Sequence, residues 1–176
     1  IRATSHEGRW RLDGRLPWVT NLRKQGFLVA AAVDNRDRGA PAIFAIPHDA
    51  PGLRRGGDLA LLALQASNTA ALDLDGVLLD ERWQIHPDAR VFCVGARPAF
   101  LGLQCGMSIG LARRTLASAR AVSAEQRSVL EPELREREQA LTALWRDLAE
   151  GLRDNRFIEQ PAALFEIRIG LAEVAA

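Results

Sequence analysis

Apolar positions in the first half of the sequence come in short, β-rich runs separated by turn residues at regular spacing, the pattern of a strand-built domain. Trp10 and Leu12 lead into Asp13-Gly14, a pair that tolerates positive φ in a two-residue hairpin, and Leu16 to Thr20 follow as the return strand. Phe27 to Val33 is a continuous apolar run stopped by Asp34-Asn35. Ile43 to Ile46 is another, stopped by Pro47 and the Pro51-Gly52 pair, and both predict core strands. Leu59 to Leu64 and Thr69 to Leu74 predict two more, with Asp75-Gly76 turning the chain into Val77 to Leu79. The expected product is an antiparallel β-barrel or sandwich.

Past Pro87 the apolar spacing becomes helical, which sets a boundary between Ile85 and Asp88 and divides the chain into 1–87 and 88–176. A helix over about Pro98 to Ala121 is apolar nearly all round and is expected to be buried, with Arg113, Arg114 and Arg120 gathered at its C-terminal end, where the helix dipole favours cations. A second, from about Pro132 to Arg153, has proline in its first turn and Leu134, Leu141, Trp145, Leu148 and Leu152 on one face. A third opens at Pro161 and carries Leu164, Phe165, Ile167, Leu171 and Val174. Strands followed by helices predict an α+β chain, an antiparallel barrel or sandwich and then an antiparallel helical bundle.

Composition narrows the function. Basic residues number 23 against 22 acidic ones, so a net charge of +1 provides no field for a polyanion, and nucleic acid is not an expected partner. Cys93 and Cys105 lie in one apolar stretch without CxxC spacing and read as buried thiols of a reducing compartment. His6, His48 and His86 are scattered, so no metal site is expected. The most apolar stretch, Val91 to Ala112, is interrupted by Arg97, Pro98 and Gln104, and nothing resembles a signal peptide; the expectation is a cytoplasmic protein without a membrane span. A start at Ile1 and a stop at Ala176 inside a helical pattern read as the ends of an internal fragment.

Two constellations invite chemistry. Gly102, Gly106 and Gly110 recur every four residues and leave a smooth groove along one helix side, open to close packing by another helix or to an extended apolar ligand. Trp18 and Thr20, two apart on a strand, emerge on the same face and can meet one planar ligand with an indole and a hydroxyl. Packing is the ordinary role of either feature, and spacing alone does not decide between the readings. The mixed charges from Glu131 to Glu138 read as a solvated, self-paired helix face. GxGxxG, GxxxxGK[ST] and GxSxG are all absent.

The run Gly8-Arg-Trp-Arg-Leu-Asp-Gly-Arg-Leu-Pro-Trp-Val-Thr-Asn21 resembles the acyl-CoA dehydrogenase pattern in which a strand, a glycine turn and a W-[IV]-T-N segment form part of the flavin site. Ala66-Ser67-Asn68-Thr69, then Leu72 to Val77 and Asp80-Glu81, resemble that family's ASDT-like segment and V-x-V-P-x-E strand end. Gly110-Leu-Ala-Arg-Arg-Thr-Leu116 resembles the G-L-A-x-x-A-L of its first C-terminal helix. The resemblance implies FAD as cofactor, with Trp18 packed against the isoalloxazine, Val19 contributing backbone contacts and Thr20 donating a hydrogen bond near flavin N5. It implies an acyl-CoA or related small-molecule substrate along the glycine-rich helix, touching Gly102 and Gly106. The implied reaction removes a proton α to a thioester carbonyl while hydride leaves the β-carbon for the flavin. An electron-acceptor protein or oxygen would then reoxidise the cofactor, and the complete protein would be a homo-oligomer.

The departures matter as well. Where some members carry a catalytic glutamate on the first helix this chain has Phe100, and no Asp or Glu occurs from Ala89 to Ala124. The family's helix arginine would fall at Leu101, with Arg97 one turn earlier as a substitute, and the R-x-x-F-G segment is absent after Ala121. A flavin-dependent monooxygenase of the same fold, which needs no α-proton base, and a degenerate non-catalytic binding module are the alternatives.

Overall fold

The computed structural model describes residues 1–35, 39–125 and 129–176, with side chains at all of these but 123–125. They form two compact units, Ile1–Phe92 and Cys93–Ala176. Among the described residues no helix is long and apolar enough to cross a membrane.

The first unit is a seven-stranded sheet. Its strands are β1 (Arg2–His6), β2 (Arg9–Val19), β3 (Leu28–Asn35), β4 (Ala42–Pro47), β5 (Leu53–Asp58), β6 (Ala70–Leu79) and β7 (Gln84–His86), in the order β5-β6-β2-β1-β3-β4-β7. All pairings are antiparallel except β1 with β3, which run parallel through Arg2–Asp34 and Ala3–Asn35. The sheet is therefore mixed and open, and the expected antiparallel barrel or sandwich is corrected to that extent. Its core gathers Leu12, Val33, Phe44, Ile46, Leu72 and Val77, with Trp10 set edge-on to Phe44 at 5.8 Å between ring centroids.

Both Asp-Gly pairs expected as turns lie inside strands instead. The turn between β1 and β2 is Glu7-Gly8, where both residues have positive φ. Asp13-Gly14 faces Asp75-Gly76 across β2 and β6, where the pairing slips by one residue between Leu12 and Gly14. The Gly76 N–H donates to Asp13 Oδ1 at 2.7 Å, and Arg11 donates to the same carboxylate at 2.9 Å. These bonds, the arginine's foremost, hold the Asp13 carboxyl below its ordinary value. Residues 59–64 are irregular rather than a strand, whereas the polar segment Leu53–Asp58 is one.

The second unit is helical. Helix α1 spans Ala89–Glu125, α2 Glu131–Arg153, α3 Arg156–Glu159 and α4 Pro161–Ala175. The first begins well before Pro98, because Asp88 accepts the Arg90 N–H at 2.8 Å and caps the start, while the Ala89 N–H is taken up by the Pro41 carbonyl at 2.7 Å. Leu101, Cys105, Ile109, Ala112 and Leu116 of α1 pack with Leu134, Leu141 and Leu148 of α2 and Leu164, Ile167 and Leu171 of α4. Spacings of three and four in α1 and α4, and of seven in α2, put each set on one stripe. The remaining face of α1 is exposed, against the expectation of an all-round buried helix. Within the mixed-charge run Arg135 pairs with Glu131 at 3.0 Å and Arg137 with Glu133 at 3.2 Å, as its spacing predicts, and Arg120 of α1 bridges to Glu131 at 3.1 Å and Glu138 at 2.6 Å.

Candidate functional site

The C-terminal end of β2 is where the chain changes phase. Trp10, Leu12 and Leu16 point inward, opposite Leu79, Val77 and Leu72 of β6. Between Leu16–Leu72 and Val19–Ala70, β2 spends three residue steps where β6 spends two, a bulge that carries one extra residue. Pro17 lies in it, a position where a missing N–H costs the ladder nothing. The extra residue turns Val19 inward onto the core and leaves Trp18 and Thr20 facing solvent. Strict alternation from Trp10 would have buried Trp18; instead its side chain is 79% exposed.

A second segment is stitched to this end. The Asn21 and Leu22 N–H groups donate to the carbonyls of Ser67 and Asn68 at 2.8 and 3.1 Å, with Asn21 and Asn68 both in the left-handed region. Leu22 is buried. Its carbonyl accepts from Arg55 Nη2 at 2.7 Å, and the same guanidinium donates to the Gly56 carbonyl and to the Asp58 carboxylate. Only 11% of the Arg55 side chain is exposed. Three hydroxyls complete the arrangement: Ser67 Oγ lies 2.7 Å from Thr69 Oγ1, and Thr69 Oγ1 donates to Thr20 Oγ1 at 3.4 Å. Sequence reasoning singled out the Ala66–Thr69 segment by resemblance but missed Arg55, since nothing in Leu53-Arg54-Arg55 separates one arginine from the other.

The remaining candidates belong to the helical unit. Arg97 is exposed and Leu101 is buried in the helical core. The glycine stripe divides. A Cβ at Gly102 would stand 2.8 Å from Leu152 Cδ1, so that glycine admits a neighbouring helix side chain, whereas Gly106 and Gly110 face open space. Cys105 is buried, which pushes its thiol up from the ordinary value; Cys93 is exposed, correcting the expectation that both are buried.

No family model and no curated protein matches the chain. Solved structures do resemble it, at identities low enough that the likeness is one of fold. A chain of the electron-transferring flavoprotein structure from Acidaminococcus fermentans superimposes with a TM-score of 0.77 at 16% identity, over 99% of this chain and 50% of that one. A glutaryl-CoA dehydrogenase from Mycobacterium smegmatis in complex with FADH2 gives 0.58 at 22% identity, over 98% and 42%. The dibenzothiophene monooxygenase from Paenibacillus sp. A11-2 gives 0.72 at 15%, over 99% and 52%. The chain thus has the fold of about half of each of these proteins.

Proposed function

We propose that this chain is part of a flavin-dependent oxidoreductase of the acyl-CoA dehydrogenase type, and that Trp18, Val19 and Thr20 receive the isoalloxazine of FAD. The observation that carries the reading is the bulge in β2. It takes an indole that ordinary alternation would bury and leaves it 79% exposed, with Thr20, two residues on, exposed as well. An exposed indole suits stacking on a planar ring, and a hydroxyl two residues on suits a hydrogen bond to a ring nitrogen. When bound, FAD supplies two-electron redox chemistry that no side chain offers. The chain's own part is placement: Val19, packed on the core, fixes the strand end, and the Ser67 and Asn68 carbonyls fix the residues that follow.

The substrate class proposed is an acyl thioester, running along α1 past Gly106, with an electron-acceptor protein or oxygen as the oxidant. Dehydrogenation needs a base for the α-proton, and α1 carries no carboxylate before Glu125, its last residue. That gap favours a second reading, a monooxygenase of the same fold, and the likeness to the Paenibacillus monooxygenase is consistent with it. Anaerobic bleaching of a bound flavin by an acyl-CoA would support the first reading; oxygen-dependent turnover without that bleaching would support the second.

The test of the site is the full-length protein carrying Thr20→Val. Bound flavin should remain, its visible band should shift and its reduction should slow about fivefold, the loss of roughly one hydrogen bond, while the far-ultraviolet circular dichroism stays that of the parent. A parent protein that binds no flavin would overturn the site, and a variant with unaltered spectrum and rate would remove Thr20 from it.

A further inference from the structure

We infer that Ser67 and Thr69 are positioning residues that set the direction of the Thr20 proton, an inference that rests on the flavin site proposed above. A hydroxyl carries one proton and two lone pairs. Thr69 is 7% exposed, so its hydroxyl must find partners inside the protein, and it finds two. Its proton goes to Thr20 Oγ1. With that proton spent, Ser67 Oγ, 2.7 Å away, is the donor of the pair. The chain therefore runs one way, Ser67 to Thr69 to Thr20. A lone pair of Thr20 is then occupied, and its own proton is left for another acceptor.

Backbone bonds hold the chain in place. The Ser67 carbonyl accepts the Asn21 N–H at 2.8 Å, the Asn68 carbonyl accepts the Leu22 N–H at 3.1 Å, and the Thr69 carbonyl accepts the Leu59 N–H at 2.8 Å. At 3.4 Å the last side-chain link is long for a hydroxyl pair, so it biases the Thr20 rotor more than it clamps it. A bias is enough. A donor already aimed at its acceptor loses less freedom on binding, and successive hydroxyls polarise one another in the same sense.

The experiment compares full-length holoprotein with Thr69→Val, Thr69→Ser, Ser67→Ala, Thr20→Val and the double variant Thr20→Val/Thr69→Val. Visible absorption, flavin midpoint potential and reduction rate are read at matched flavin content. Thr69→Val should shift band and potential in the same direction as Thr20→Val but less far, with reduction about threefold slower. Thr69→Ser should return the parent's values, and the double variant should match Thr20→Val alone, because Thr69 acts through Thr20. Shifts that simply add, or a Thr69→Val protein identical to the parent while Thr20→Val shifts, would overturn the relay and leave the flavin site standing. No shift in Thr20→Val would overturn the site and the relay together. Should Thr69→Val fail to fold, half-buried Ser67→Ala carries the test: a shift in the same direction supports the relay, and parent-like values overturn it.

Discussion

A methyl group added at Gly151 would lie 2.3 Å from Cζ of Phe157, whose ring is 2% exposed and has nowhere to retreat. Alanine in a helix is favoured over glycine by about 1 kcal/mol, but forcing a methyl into a filled core costs about 1–3 kcal/mol, so packing decides. Gly151→Ala should lower unfolding free energy by about 1–2 kcal/mol in urea. Gly106 reverses the sign, since its Cβ would meet open space; Gly106→Ala should raise stability by about 0.5–1 kcal/mol. If an acyl chain runs along that helix, the same variant should lose turnover while gaining stability. Unchanged turnover would remove Gly106 from the substrate path. Spacing in the sequence could show the glycine stripe and the Trp18–Thr20 pair, but not which glycines are filled. Arg55 was illegible because its partner, the Leu22 carbonyl, lies thirty-three residues away.

Elements were read best where the apolar pattern is unbroken, as a single face on a helix or a continuous run on a strand. Helix α2, and β3 and β4 with their apolar runs, lie close to where the pattern puts them. Turn chemistry misled at two sites, because Asp-Gly tolerates a bulge as readily as a hairpin. Asp13-Gly14 and Asp75-Gly76 face each other across long strands that bend by inserting residues rather than reversing. β5 escaped notice because Arg54, Arg55, Gly56 and Gly57 carry no apolar alternation. Between α1 and α2 the charge arrangement makes a pH prediction. Glu131, through hydrogen bonds from Arg135 and Arg120, and Glu138, through that from Arg120, sit below the ordinary value of 4.5. A carboxyl with a depressed folded value contributes stability that is complete above its unfolded value and lost as pH falls through the folded one. Melting temperature should therefore fall on acidification from about pH 6 to about pH 3, and more shallowly in Glu138→Gln than in the parent. Parallel curves for the two proteins would show that the exposed bridge is screened and contributes nothing.

At the scale of the molecule, segregation of strands from helices was legible, but strand order was not. β1 contributes a single buried residue, Ala3, so nothing in Arg2–His6 announces a strand, still less one that runs parallel to β3. Nor does an all-round apolar helix reveal how much of its surface is covered. In α1, Phe100, Leu103, Met107 and Leu111 form one stripe at helical spacing and are 62%, 76%, 66% and 61% exposed. Contiguous apolar surface of that kind is a site of association, and a net charge of +1 provides little repulsion to keep copies apart. This 176-residue chain on its own should therefore self-associate through α1, with a sedimentation coefficient that rises with concentration. Leu103→Glu combined with Met107→Glu should hold it monomeric at unchanged helicity, because both side chains already face solvent and the substitution removes nothing from the helical core. A parent that stays monomeric at every concentration would mean that water covers the stripe at no measurable cost, and the case for an interface on α1 would fail.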